Sequence, residues 1–337
     1  MSIRTFRFLS QHVFFLILTF GGRLGVSLGP SLPCLSCPYV VGCGGICYLR
    51  FLQSPMGGLG MNWAVLSSGR GLAALAALGL FIALVALLGQ SWCGWTCPFG
   101  LVQDYAARLR NKLRIREAIF TERTMAFIKT LKYVCFGYLV STPVLITLGA
   151  AHPDLSLPYC AICPVKLIMP LLTGDTTYLN LDFTNPVLLT TSVVLMIFSG
   201  LVLVGMFFKT RFFCLLCPMS VLIGLFRPLY LLRVLKRPQA CLGCGNCRRV
   251  CPADIDKTTP AIDPGSNCNP ALVKPVTLST SGCQGCFNCA QCCATDGSLA
   301  IKYGPWAIFN SSRRYAARFL KGRTAFFKAL KGPGDRL

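Results

Sequence analysis

The residues in this sequence best suited to chemistry are its cysteines, 21 of them in 337 residues. Two runs stand out near the C-terminal end: Cys241-x2-Cys244-x2-Cys247-x3-Cys251-Pro252 and Cys283-x2-Cys286-x2-Cys289-x3-Cys293. Such a run wraps a [4Fe-4S] cubane, and where two runs occur together the fourth cysteine of each ligates the other cluster. The expected ligand sets are Cys241, Cys244, Cys247 and Cys293 for one cluster, and Cys283, Cys286, Cys289 and Cys251 for the other. Gly243, Gly245 and Gly285 permit the tight backbone this wrapping requires. The second run has Ala294 where the first has proline, and Cys292 competes with Cys293 for the fourth position; the spacing favours Cys293. Zinc is the competing metal for two C-x2-C pairs, but it does not call for two full four-cysteine runs. Cys268 and Cys135 have no partner by spacing.

Four further pairs, each followed by proline, are spread through the first two thirds of the chain. They are Cys34/Cys37 before Pro38, Cys93/Cys97 before Pro98, Cys160/Cys163 before Pro164 and Cys214/Cys217 before Pro218. The first and third pairs lie 126 residues apart (160 − 34) and the second and fourth 121 apart (214 − 93), a unit used twice in parallel. Four thiolates hold one cubane, so Cys93, Cys97, Cys214 and Cys217 are expected to form an inner membrane site, and Cys34, Cys37, Cys160 and Cys163 an outer one. Proline after the last cysteine ends one coil and can open the next helix. Cys43 and Cys47 lie beside the outer set; a disulfide, replacement of one pair as ligands, and a further centre all remain open for them.

The elements that must position these cysteines are apolar. The chain is 54% hydrophobic and 13% charged, too greasy for an ordinary soluble domain. Runs long enough to cross a bilayer, about 20 residues, fall at approximately 8–29, 71–90, 133–150 and 187–208. Between the second and third runs lie Arg108, Arg110, Lys112, Arg114, Arg116, Arg123, Lys129 and Lys132, against only Arg50, Arg70 and Lys166 on the opposite side. The positive-inside rule then puts both termini in the cytoplasm, in a multi-pass protein of a bacterial inner membrane. Residues 1–30 also resemble a signal peptide, but no small-x-small cleavage site follows, so a retained anchor is expected. The expected fold class is mainly α: a polytopic helical membrane domain of about four spans in two parallel repeats, followed by an α+β two-cluster ferredoxin domain. Its limits are 1–237 (halves about 1–100 and 130–237) for the membrane domain, 238–303 for the ferredoxin domain and 304–337 for a basic tail.

The net charge of +22 follows the membrane flanks, so nucleic acid is not an expected partner. In the tail, Tyr315, Phe319, Phe326 and Leu330 fall near one face of a basic helix suited to anionic lipid. His12 and Arg23 in the first span are candidate quinone or relay groups, since ionisable residues inside a membrane are costly. Snorkelling near the span ends is their plainer reading.

CGWTCPFG at 93–100, the second Cys-Pro pair at 214–218 and the C-terminal two-cluster ferredoxin resemble the NapH/MauN type: the membrane ferredoxin-type proteins of periplasmic nitrate reductase and methylamine utilisation systems. A more distant likeness is to the membrane part of nitrous-oxide-reductase regulators. The resemblance implies a carrier passing electrons between cytoplasmic donors or the quinone pool and a membrane or periplasmic redox system. It extends to Cys93, Cys97, Cys214, Cys217 and the ferredoxin cysteines. Two residues rather than three separate Cys214 from Cys217, and the outer cysteines lie outside the family pattern. An electron-carrier subunit needs no acid–base site, and none is identified. The rival readings are a maturation or redox-regulatory factor and a structural zinc protein. One physical difficulty remains: sites at opposite membrane faces would be up to ~30 Å apart, too far for one tunnelling step unless loops dip inward or another cofactor intervenes.

Overall fold

The computed structural model describes residues 3–29, 31–37, 39–40, 42–53, 69–118, 120–150, 157–174, 185–237, 240–241, 247, 250–252, 276–277 and 283–321. Cys244, Cys268, Phe326 and Leu330 lie outside them.

The described chain is mostly helical with one small sheet. Its helices are α1 (Ile3–Phe20), α2 (Tyr48–Gln53), α3 (Gly69–Leu88), α4 (Pro98–Lys112), α5 (Glu122–Thr147), α6 (Pro158–Ile162), α7 (Pro164–Thr173), α8 (Pro186–Phe208), α9 (Phe212–Leu216) and α10 (Met219–Leu225). After β1 (Leu232–Lys236) and β2 (Val276–Thr277) come α11 (Asn288–Cys292), β3 (Leu299–Tyr303), β4 (Trp306–Asn310) and α12 (Arg313–Lys321).

Two helices are long and apolar enough to cross a bilayer: the stretches Gly71–Leu88 of α3 and Leu188–Phe208 of α8. Only 17% and 28% of these stretches are buried, and their leucines and valines face outward. Leu72, Leu80, Ile197, Leu201 and Val204 are all at least half exposed. The other two expected spans differ from the sequence reading. The run at 8–29 is helical only to Phe20, because Gly21 and Gly22 disfavour continuation, and it turns into a 3-10 segment Gly21–Leu24. The run at 133–150 is the C-terminal part of the longer α5, which starts where the Thr121 hydroxyl accepts the Thr124 amide at 3.2 Å and carries Pro143 inside.

The sheet is antiparallel, in the order β2-β1-β3-β4, with Val234 opposite Ile301 and Ile301 opposite Phe309. Strand β1 precedes the boundary expected at 237/238, yet it pairs along its whole length with β3. Strand β4 and helix α12 likewise extend the module past 303. Tyr315, expected on a lipid-facing surface, instead packs edge-on against Phe309 at 5.2 Å and accepts the Ile3 amide at 3.2 Å. The two parts of the chain share an apolar seam: Ile3 and Trp95 of the helical part pack against the sheet core around Val234, Phe287 and Ile301.

Candidate iron–sulfur sites

The cysteine pairs share one local design. Helices α6, α9 and α11 are single turns, each preceded by a residue with a left-handed backbone: Leu157 (φ 60°), Arg211 (φ 57°) and Phe287 (φ 56°). Each ends on a cysteine in an extended conformation, Cys163 (φ −72°, ψ 121°), Cys217 (φ −67°, ψ 121°) and Cys293 (φ −69°, ψ 117°). Cys97 has the same backbone (φ −64°, ψ 118°) but closes a π turn, Trp92–Thr96, and the wider turn accommodates the third residue between Cys93 and Cys97. Positive φ at bulky residues persists only where the surroundings enforce it.

That shared backbone also separates Cys293 from Cys292. Cys292 is fully buried, and its thiol donates to the Cys289 carbonyl at 3.3 Å. Cys293→Ser is therefore expected to cost one cubane, about four Fe per chain, while Cys292→Ser keeps the full iron content; equal losses from both variants would refute this distinction.

One cavity gathers Cys93, Cys97, Cys214 and Cys217, the expected inner set, together with Cys34 and Cys283. Amides point at its sulfurs: those of Phe99, Gly100 and Leu35 at Cys97, and that of Met219 at Cys217. Each comes from the start of the helix after the cysteine, apart from Leu35, and such donors favour the thiolate. The buried Gln103 accepts the Phe213 amide at 3.0 Å and donates to Cys214 Sγ at 3.4 Å. Burial pushes the Cys214 and Cys283 thiols up to about 12, so these groups lose their protons only to something that binds the sulfur. The ammonium of Lys132, itself buried, stands in the field of Cys217 and Cys93. Among the described residues no three His, Cys, Asp or Glu side chains converge closely enough for a single ion. The sulfurs of Cys93, Cys97, Cys214 and Cys217 line the cavity instead, and four thiolates are the donor set of a [4Fe-4S] cluster.

The second ferredoxin run docks on this site. Trp95 Nε1 donates to the Gly285 carbonyl at 2.9 Å, and a Cβ on Gly94 would overlap the Gln284 carbonyl. Gly285 sits at φ +57°, and a Cβ there would lie 2.6 Å from the Ser91 Cα and backbone nitrogen. The Cys283, Cys286, Cys251 and Cys292 thiols share the field around Cys289. Cys241 and Cys247 are half-buried.

Arg211 locks the junction. Only 1% exposed, it donates to Asp104 Oδ1 at 2.9 Å and Oδ2 at 2.7 Å, to the Cys93 and Gly94 carbonyls at 3.2 and 3.3 Å, and to Gln284 Oε1 at 3.4 Å. Burial opposes the charge on Asp104, but Arg211, Arg7 and Gln11 outweigh it and hold the carboxyl well below its usual range. The same pairing raises Arg211 above its ordinary value.

The outer set is divided. Cys34 stands in the field of Cys97, Cys47 and Cys93 and lines the inner cavity, whereas Cys37 faces Cys47, Cys160 and Cys43. Three residues of chain span at most about 10 Å, so the two cysteine groups are close neighbours, and the expected separation of up to ~30 Å does not hold. The loop carrying them folds back on the end of α1, with the Ser36 hydroxyl donating to the Gly45 carbonyl at 2.6 Å and the Leu18 carbonyl at 3.2 Å. No disulfide joins any described cysteine. His12 and Arg23 have local partners away from the cavity: His12 Nε2 and the Tyr105 hydroxyl are 2.6 Å apart, and Arg23 lies 5.8 Å from the Phe20 ring centroid. Cys135 packs at the edge of the helical core.

A 4Fe-4S binding domain family matches the chain twice, at residues 70–116 and 191–237. The matches are offset by 121 residues (191 − 70), as Cys214 is from Cys93, and each covers an apolar helix with its cysteine pair. Both matches are to a domain that binds a 4Fe-4S cluster. Over 183 residues the chain is 25% identical to YccM of Escherichia coli, whose name assigns it to electron transport, covering 54% of this chain and 47% of YccM. It is 26% identical over 192 residues to a Methanocaldococcus jannaschii protein (56% and 69%), and 25% identical over 170 residues to the methylamine utilization ferredoxin-type protein MauN of Methylobacillus flagellatus (49% and 48%). The chain resembles the NapH/MauN ferredoxin type, as its cysteine motifs lead one to expect. It spans about half the length of YccM and MauN, and no solved structure matches it.

Proposed function

We propose that the chain is a membrane-embedded electron carrier in which Cys93, Cys97, Cys214 and Cys217 hold a [4Fe-4S] cluster directly beside one held by Cys283, Cys286, Cys289 and Cys251. The observation that carries this reading is the opening of Cys283 into the same cavity as the Cys93 and Cys214 pairs. A second ferredoxin cluster falls to Cys241, Cys244, Cys247 and Cys293. When bound, such a cluster supplies one-electron transfer with no bond made and no proton required. The residues around it fix the thiolates, exclude water and, through Arg211 and Lys132, offset negative charge.

The outward-facing apolar faces of α3 and α8 support a bilayer as solvent. The finer arrangement, with α1 and the later part of α5 completing four spans in two parallel repeats and both termini in the cytoplasm, is part of the same reading. The names of YccM and MauN point to redox partner proteins. We place a donor on the cytoplasmic side and a membrane or periplasmic acceptor beyond, with quinone as a further candidate. Anaerobic purification followed by iron and sulfide analysis and an EPR redox titration tests this: at least about 12 Fe per chain is expected, four for each of three cubanes. Protein without acid-labile sulfide, or a Cys97→Ser variant keeping all its iron, would remove the proposal.

A further inference from the structure

We infer that Cys37, Cys47, Cys160 and Cys163 form a second thiolate quartet in the helical part, built to hold another [4Fe-4S] cluster, with Cys34 and Cys43 outside its ligand set. The inference rests on the iron–sulfur reading above and changes the membership that pairing by sequence suggests.

All four cysteines are at most 9% exposed. Cys37 lies in the field of Cys47, Cys160 and Cys43, Cys163 in that of Cys37 and Cys47, and Cys160 in that of Cys163. Their backbone surroundings repeat those of the first site. Helix α2 starts directly after Cys47, as α4 does after Cys97 and α7 after Cys163. The amides two and three residues on then point at the sulfur: Leu49 and Arg50 at Cys47, Val165 and Lys166 at Cys163, just as Phe99 and Gly100 do at Cys97.

Gln53 extends the parallel. It follows Cys47 by six residues, as Gln103 follows Cys97. Both glutamines are 1% exposed. Gln53 accepts the Tyr159 and Cys160 amides at 2.6 and 3.2 Å and donates to Cys160 Sγ at 3.4 Å, matching what Gln103 does for Phe213 and Cys214. With the Tyr39 amide on Cys37, every sulfur of the quartet receives an N–H donor. Donors of this kind stabilise metal-bound thiolate, and a disulfide does not need them. Arg50 and Lys166, which flank the ring of Tyr39 at 5.9 and 5.0 Å, add positive charge beside Cys160.

The remaining two cysteines lie close by but are engaged otherwise. Cys43 stands in the field of Cys37 and Cys47, yet its Sγ donates to the Gly45 and Leu18 carbonyls at 2.7 and 3.2 Å, and Cys34 lines the first cavity. Tyr159, buried and with no hydroxyl partner among the described residues, stands in the field of one cysteine from each quartet, Cys163 and Cys217.

The test uses the full-length protein, purified without oxygen and analysed for iron, zinc, sulfide and disulfides. About 16 Fe per chain is expected, four for each of four cubanes. Cys37→Ser and Cys47→Ser should each lose about four Fe, whereas Cys34→Ser and Cys43→Ser should lose none. Gln53→Leu should retain the iron and shift the EPR midpoint potential of one cluster. A disulfide or zinc within the quartet overturns the inference, as does loss of iron on Cys43→Ser in place of Cys37→Ser. Wild-type protein at about 12 Fe that still loses iron on Cys97→Ser sinks the second quartet alone. Iron unchanged by Cys97→Ser removes the reading beneath it. Should the serine variants not accumulate, the wild-type iron count and disulfide map decide.

Discussion

Replacing Arg211 by methionine is expected to destabilise the protein by about 3 kcal/mol and to strip the first membrane-domain cluster from whatever fraction folds. Removing one partner of a buried ion pair typically costs 3–5 kcal/mol, because the other charge is left in a medium that solvates it poorly. The lower end applies here, since Asp104 keeps Arg7 at 3.1 Å and Gln11 at 2.9 Å. The Cys93 and Gly94 carbonyls lose a donor as well, and they belong to the turn that presents Cys93. Asp104→Asn keeps the side-chain shape but puts an amide donor where a carboxylate oxygen accepts from Arg211, and it leaves that buried guanidinium without its counter-charge, so it should cost a similar amount. Combining the two substitutions should therefore cost less than their sum, with a coupling of about 1–3 kcal/mol. Iron per chain, together with thermal or denaturant unfolding of the four proteins, measures both effects. Additivity within a few tenths of a kcal/mol would show that the pair does not act as a unit.

This residue also marks where the sequence stops being legible. The cysteine runs, the metal they suit and two of the apolar helices can be read directly, because thiolate spacing and hydrophobic length are local properties. Arg211 cannot: beside Lys209 at the end of an apolar run it looks like an orienting surface charge, and only the folded chain buries it against Asp104, 107 positions earlier. Lys132 reads as such a flank for the same reason, yet the fold buries it. The outer cysteines fail differently. Pairing them by C-x2-C-Pro puts Cys34 with Cys37, but the register that folding repeats is Cys47 with Gln53, six residues on, and Tyr48 occupies the proline position there. A search for C-x3-C-x5-Q would have found Cys43-x3-Cys47-x5-Gln53 beside Cys93-x3-Cys97-x5-Gln103. It would still have named Cys43 as a ligand, since nothing local tells that its sulfur turns to the Gly45 carbonyl. The end of the first apolar run at Phe20 was marked by Gly21 and Gly22, which a hydropathy window passes over.

Gly94→Ala should separate the ferredoxin module from the membrane-domain site while leaving both loaded. The methyl group has no room, since its position overlaps the Gln284 carbonyl and lies 3.1 Å from that of Gly285. Neither neighbour is the end of a flexible side chain: both are backbone, held by the Trp95 bond to Gly285 and by the turn at φ +57°. Overpacking at such a contact costs about 1–3 kcal/mol, which shifts a docked-to-undocked equilibrium by roughly five- to more than a hundredfold at 1.4 kcal/mol per tenfold. The cluster ligands themselves are untouched, so iron and sulfide should equal wild type. Magnetic coupling between the clusters, read as broadening in the reduced EPR spectrum, should weaken, and protease access to the 283–287 segment should rise. Gly285→Ala meets the Ser91 backbone from the other side and adds a left-handed alanine to the clash, so it should act at least as strongly. Wild-type coupling in both variants would mean that the contact between Gly94 and Gly285 does not set the distance between the two cysteine sites.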